Sequence, residues 1–184
     1  MHRASMPDYR RNRVPGGTYF FTVNLLDRRS CLLTTEIDAL RQTVRQVRAA
    51  APFHIDGYVV LPEHMHWMWT LPEGDSNFSA RWRDIKKGFL KRIPAGEFRS
   101  VTRERRGERG VWQRRFWEHT IRDDADYATH LDYIHFNPVK HGLVQAAANW
   151  ELSSFQHCVK RGIYPADWAG DDGKTSNYGE ANVP

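Results

Sequence analysis

The chain has 184 residues, 27% charged and 40% hydrophobic, with a formal net charge of +5, which suits one compact domain with an appended tail. It shows no apolar run long enough to span a bilayer and no signal-peptide pattern, so no membrane-spanning helix and no membrane partner are expected, and a cytoplasmic, nucleoid-associated location is expected. Cys31 and Cys158 make neither a disulfide framework nor a zinc spacing, in keeping with a reducing compartment.

In chain order, residues 1–15 are basic and irregular (Arg3, Arg10, Arg11, Arg13) and read as a loose arm. Residues 18–25 are β-branched and aromatic, a strand opened by Gly16-Gly17. Thr34 or Thr35 caps a helix running to about Ala50, with Ile37, Leu40, Val44 and Val47 at helical spacing. Pro52 ends it. Residues 53–61 and 64–71 form two strands around the tight Pro62-Glu63 turn. Ser76 or Asn77 caps a second helix to about Arg92, whose stripe of Phe78, Trp82, Ile85 and Phe89 belongs to the core. Residues 97–110 are Arg-dense and read as an exposed loop. A strand over 115–121 follows. Asp123 caps a third helix, with Asp126 in the capping-box position, expected to stop near Phe136 before Pro138. Residues 170–184 are polar and Gly-rich, a flexible, disordered tail appended to a domain over 16–169. Strand, helix, two strands, helix, strand, helix, with short links, predicts an α+β fold: a ferredoxin-like antiparallel sheet covered by helices.

The charge is unevenly spread. Residues 78–122 hold 14 Lys and Arg against 5 Asp and Glu, a local +9, which leaves the rest of the chain at −4. Interleaved with Trp82, Phe89, Trp112, Phe116 and Trp117, that block has cations for phosphates and ring faces for bases. A solvated helix face with a basic loop would carry the same charge. Arg83, Lys86, Lys87, Lys91, Arg114 and Arg115 are the candidate DNA contacts.

The centre of the chain is the run from Leu61 to Leu71. In an extended strand His64, His66, Met68 and Thr70 share one face, while Met65, Trp67, Trp69 and Leu71 share the other, the core side. Two imidazoles on one strand face can converge on a divalent metal, or can simply be packed histidines. On the third helix, Tyr127 falls in the middle of the apolar face with Leu131 and Ile134. Tyr133 and Asn137 lie one turn apart on a polar stripe beside it. A His pair, a helical Tyr near an amide and a basic aromatic surface together suggest phosphodiester transesterification. There a cation would polarise the scissile phosphate for a phenol that is a poor nucleophile at neutral pH. Glu63 could reach that metal or cap the turn, and His119, His130, His135 and His141 read as packing or DNA-proximal residues.

The runs Tyr58-Val59-Val60-Leu61-Pro62-Glu63-His64-Met65-His66, Gly110-Val111-Trp112-Gln113, Arg115-Phe116-Trp117-Glu118-His119 and Asp132-Tyr133-Ile134-His135-Phe136-Asn137-Pro138-Val139-Lys140-His141-Gly142 resemble the REP-associated tyrosine transposases. These are members of the single-tyrosine transposase superfamily with His-hydrophobic-His sites and the HUH nuclease fold. The resemblance covers roughly residues 16–170. It implies that His64 and His66 bind Mg²⁺ or Mn²⁺, that Asn137 is the third protein ligand where many wider relatives use Gln, and that Tyr133 is the nucleophile. It further implies a 5′-phosphotyrosine and a free 3′-OH, a single-stranded REP hairpin as substrate, and a monomer. The rival expectation is a DNA-binding protein of the same fold without turnover, such as a repressor of its own REP elements.

Overall fold

In the computed structural model, which describes residues 11–97, 101–107, 109–170 and 178–180, the aromatic run β1 (Thr18–Asn24) lies inside a four-stranded antiparallel sheet. The others are β2 (His54–Val60), β3 (His64–Thr70) and β4 (Trp117–Thr120), in the order β2-β3-β1-β4. The helices are α1 (Leu32–Thr35), α2 (Ile37–Ala50), α3 (Phe78–Arg92), α4 (Val101–Arg105), α5 (Asp124–Lys140) and α6 (Phe155–Lys160), with a 3₁₀ turn at Ala147–Asn149. Strand β3 inserts between β1 and β2, which splits a βαβ unit and gives the expected ferredoxin-like α+β architecture.

Period-two alternation decides what each face buries. Tyr19, Phe21, Val23, Met65, Trp67 and Trp69 point to one face, where α2 and α3 cover them. Trp82 of α3 stacks on Trp69 with ring centroids 4.3 Å apart, and Trp82→Ala would cost about 3–5 kcal/mol. Asn77 caps α3 by accepting from the Ala80 amide at 3.2 Å. Phe20, Thr22, Asn24, His64, His66 and Met68 point to the other face, beneath α5. Gly57 permits that approach: a Cβ there would lie 2.5 Å from Leu131 Cδ1.

Several elements differ from expectation. The first helix is two pieces, joined at Glu36. Helix α5 runs through Pro138 to Lys140, because a proline in the last turn removes only one intrahelical donor. The carbonyls of Asn137 and Pro138 are instead capped by the amides of His141 and Leu143. The Arg-dense loop contains α4 and is tied down by Arg109, which pairs with Glu97 at 2.7 Å and donates to the Ile93 carbonyl at 3.1 Å. Phe98, Arg99 and Ser100 of that loop lie outside the described residues. Residues 1–10 of the expected loose arm lie outside them too, whereas Arg11 packs over the Phe116 ring at 4.1 Å and donates to Ser79. Of the expected disordered tail, residues 171–177 and 181–184 lie outside the described residues. Residues 178–180 are docked against the sheet and α5, which corrects that expectation for this segment. No helix among the described residues is long and apolar enough to cross a membrane, and both cysteines are free.

Candidate active site

His64 and His66 open β3 directly after the Pro62-Glu63 turn, which the Leu61 amide closes on the His64 carbonyl at 2.9 Å. Both imidazoles are fully buried, so the histidine face is covered rather than open. Each ring is fixed through Nδ1. His64 Nδ1 lies 2.8 Å from Glu63 Oε1, and Arg28 holds that same oxygen at 3.4 Å. His66 Nδ1 lies 2.9 Å from Thr22 Oγ1, whose proton goes to the Tyr178 carbonyl. Nδ1 is therefore the protonated nitrogen in both rings and each Nε2 carries a bare lone pair. Metal-ligating histidines are oriented in this way, with the second nitrogen donating to a carboxylate or hydroxyl. Glu63 thus orients His64 rather than capping the turn.

Helix α5 supplies the opposite wall. Tyr133 sits with its ring centroid 5.2 Å from that of His66, and Asn137, one turn on, is fully buried. The sequence wheel placed Tyr133 on a polar stripe, but only 7% of it is exposed, because α5 lies centrally on the sheet and the tail closes over it. Tyr127, expected at the apolar centre, is half-buried and donates to Asp56 at 3.2 Å. Burial, with Asp56 second, raises its hydroxyl to about 12. Because α5 continues past Pro138, Lys140 reaches back to the Tyr133 hydroxyl at 3.1 Å and lies over its ring, 4.7 Å from the centroid.

The space between these walls holds Glu180. Its carboxylate accepts from the Tyr133 hydroxyl, from Asn137 Nδ2 at 2.8 Å and from Lys140 Nζ at 3.0 Å. It also faces His66 Nε2 at 3.3 Å and His141 Nε2 at 3.4 Å. Burial opposes a charge there, yet the bonds from His141 and from the Tyr133 hydroxyl favour it, and Glu180 is held ionised far below the usual carboxylate range. Burial pushes His66 down to about 3 and His64 in the same direction, the carboxylates of Glu180 and Glu63 opposing, so both stay neutral at pH 7. Burial, with Glu180 second, raises the Tyr133 hydroxyl far above 10.

The donor set fits a divalent cation. Among the described residues, His64 Nε2 and Asn137 Oδ1 are buried without a hydrogen-bond partner, and His66 Nε2 meets Glu180 without hydrogen-bond geometry. Buried lone pairs left without a partner beside a buried carboxylate are costly unless something cationic joins them.

A second cluster, His119, Asp126 and His130, has ligand atoms within 4.8 Å of one another. Its imidazoles are stacked in near-parallel planes, 4.6 Å apart at 13°, so their lone pairs do not converge. Asp126 is already taken by His119 at 2.8 Å and by the Arg122 amide and guanidinium at 3.0 Å. The arrangement of this cluster does not suit a metal, and His135 packs on Ser154, whereas His141 belongs to the first site.

Of the basic residues, Arg83, Lys86, Lys87, Lys91 and Arg114 line an open cleft of about 910 Å³ between α3 and residues 107–116, on the sheet face away from Tyr133. Arg115 is exposed beside it. Lys86 lies against Trp112 and Phe116 and donates to the Gln113 carbonyl at 2.8 Å, and burial brings its ammonium down to about 8. Sequence reasoning missed Thr22, Asn24, Lys140 and Glu180. Thr22 and Asn24 interrupt an aromatic strand at i, i+2 on the histidine face, a usable signal, while a lone Glu in a polar tail carries none.

No protein-family model matches the chain. It is 52% identical over 166 residues to a REP-associated tyrosine transposase of Escherichia coli K12, spanning 90% of this chain and 93% of that relative. A Haemophilus influenzae Rd relative is 45% identical over 168 residues, 90% of this chain and 95% of its own. The solved structure of a REP-associated tyrosine transposase bound to a REP hairpin superposes with a TM-score of 0.83 at 49% identity, covering 97% of this chain and all of the other.

Proposed function

The chain belongs to the REP-associated tyrosine transposases, and from that footing we propose that it nicks and rejoins single-stranded REP-type hairpin DNA through a 5′-phosphotyrosine. One observation carries the reading: the Tyr133 hydroxyl, the bare Nε2 of His66 and the Asn137 amide all face one carboxylate, and His64 offers a ligand atom within 4.8 Å of it. His64, His66 and Asn137 would hold Mg²⁺ or Mn²⁺, which when bound supplies Lewis-acid polarisation of the scissile phosphate.

The chain's own groups do the rest. Tyr133 Oη attacks phosphorus; the Oη–P bond forms, the P–O3′ bond breaks, and the phenol proton ends on the departing 3′ oxygen. Lys140 places a cation beside the phenol oxygen and offsets the charge that develops there. Glu63 and Thr22 keep both imidazoles in the ligating tautomer. Reversal by a 3′-OH needs no external energy, since the phosphodiester bond is conserved in the adduct. Both walls of the site come from one chain, so a monomer suffices. The basic cleft holds hairpin phosphates and positions the strand.

The carboxylate seated on the nucleophile also suits the rival reading, a repressor that binds its own REP elements without turnover. Incubation of the full chain and Mn²⁺ or Mg²⁺ with a 5′-labelled or a 3′-labelled REP strand, then a denaturing gel, separates the two. The nuclease gives a protein adduct carrying the 3′ label and a free 5′-labelled product; binding without any adduct leaves the repressor.

A further inference from the structure

Tyr178 does more than lead the chain to Glu180. Its ring is enclosed by Tyr133 edge-on at 4.7 Å, His130 at 4.6 Å, and Phe20 and Trp117 both at 5.9 Å. Two polar side chains of β1, both at least 99% buried, are aimed at the backbone that follows: Thr22 donates to the Tyr178 carbonyl at 2.5 Å and Asn24 to that of Gly179 at 3.2 Å. Gly179 has φ +74°, and a Cβ on it would come 2.5 Å from Trp117 Cβ, so the turn is pressed too close for any other residue. One residue further, the Glu180 carboxylate meets the Tyr133 hydroxyl. The segment thus presents a flat ring, a narrow link with acceptors and then an anion beside the nucleophile. A nucleotide in the strand being cut offers the same succession.

We propose that the cage of Phe20, Trp117 and His130 is the binding pocket for an unpaired nucleobase adjoining the scissile phosphate, and that Tyr178–Glu180 occupies it as an imitation of that nucleotide. The inference rests on the nuclease reading above. Every base has a π-face, so a ring-walled cage accepts an unpaired base, and stacking there is worth about tenfold or more in affinity. The pocket also holds groups for a base edge. His130 is 2% exposed; its Nδ1 donates to the Asp126 carbonyl, which leaves Nε2 an acceptor with no hydrogen-bond partner among the described residues. A ring NH or an exocyclic amino group would satisfy it. Thr22 Oγ1 and Asn24 Nδ2 would turn from the tail carbonyls to base or sugar oxygens. A base held here sits against the Tyr133 ring, which places the neighbouring phosphate at the hydroxyl.

The test measures equilibrium affinity of the full chain, without divalent ions, for hairpin strands that are intact or abasic at each nucleotide flanking the mapped cleavage site. Tyr178→Ala should tighten binding of the intact strand about tenfold, and one abasic position should erase most of that gain. In the Tyr178→Ala background, Trp117→Ala should remove the difference between intact and abasic strands. Trp117→Phe, which keeps a ring and the strand packing, should retain it. If Tyr178→Ala tightens intact and abasic strands equally at every position, the tail merely fills space and the base pocket is overturned while the nuclease reading stands. If no strand is cut by any variant with metal present, the nuclease reading fails and takes the pocket with it.

Discussion

On one face of the sheet, β1 and β3 present Tyr19, Phe21, Val23, Met65, Trp67 and Trp69, and every one meets another apolar side chain. On the opposite face the same two strands present Thr22, Asn24, His64 and His66 among Phe20 and Met68, equally buried and beneath α5. The first face gains from burial alone. The second leaves His64 Nε2 and Asn137 Oδ1 without partners among the described residues, each a cost of about 1–3 kcal/mol. Such groups are held in place by the stability of the other face, and a binding site is where a chain can break the rules a core obeys.

The comparison breaks if changes on the polar face behave like core changes. His64→Ala or His66→Ala should lower cleavage of a hairpin strand at least about a hundredfold, and a chelator should do the same, while hairpin affinity stays within about threefold. Cleavage on a denaturing gel and affinity by anisotropy measure the two separately. Equal losses in both would make these histidines ordinary packing. Glu180→Ala removes a tethered anion from Tyr133 and should raise the cleavage rate about tenfold, read by single-turnover kinetics. A rate that falls would instead make Glu180 part of the reacting machinery.

The cleft face sharpens the contrast, because its role is phosphate contact rather than chemistry. Neutralising Lys87 and Lys91 should reduce the slope of log affinity against log salt by about 1–2, with no change in the cleavage rate of bound strand. An unchanged slope moves the DNA to another surface. The smallest effect concerns Lys86. Its folded pKa, about 8, lies below the 10.5 of the unfolded chain, so between those values the unfolded chain binds more protons and stability rises with pH. At pH 7 the buried ammonium is therefore a liability. Lys86→Met should raise stability by about 1–2 kcal/mol in urea unfolding at pH 7, and the gain should shrink by pH 10.

Legibility from sequence followed the same division. The α3 stripe, the alternation in β3, the β-branched and aromatic run of β1 and the Asn77 and Asp123 caps are local patterns, and local patterns survive into the fold. The His64/His66 face was readable for the same reason. Tyr133 was not placed correctly, since a helical wheel describes one helix and α5 is buried on two sides. Pro138 misled because its cost depends on distance from the helix end, and the error hid Lys140 and His141 from the site. Glu180 lies 47 residues beyond Tyr133 in a polar, Gly-rich stretch, and only the three-dimensional convergence reveals it.

The most direct test compares the two tyrosines of α5. Tyr133→Phe and Tyr127→Phe each remove one hydroxyl, one facing Glu180 and the histidines, the other facing Asp56. Each variant is mixed with 5′-labelled and 3′-labelled REP-type strands in Mn²⁺ and run on a denaturing gel beside the unaltered chain. The account predicts that Tyr133→Phe binds the hairpin but gives no cut strand and no adduct. Tyr127→Phe should give both, with at most about 1 kcal/mol lost in stability. An adduct that survives Tyr133→Phe and disappears with Tyr127→Phe would contradict it.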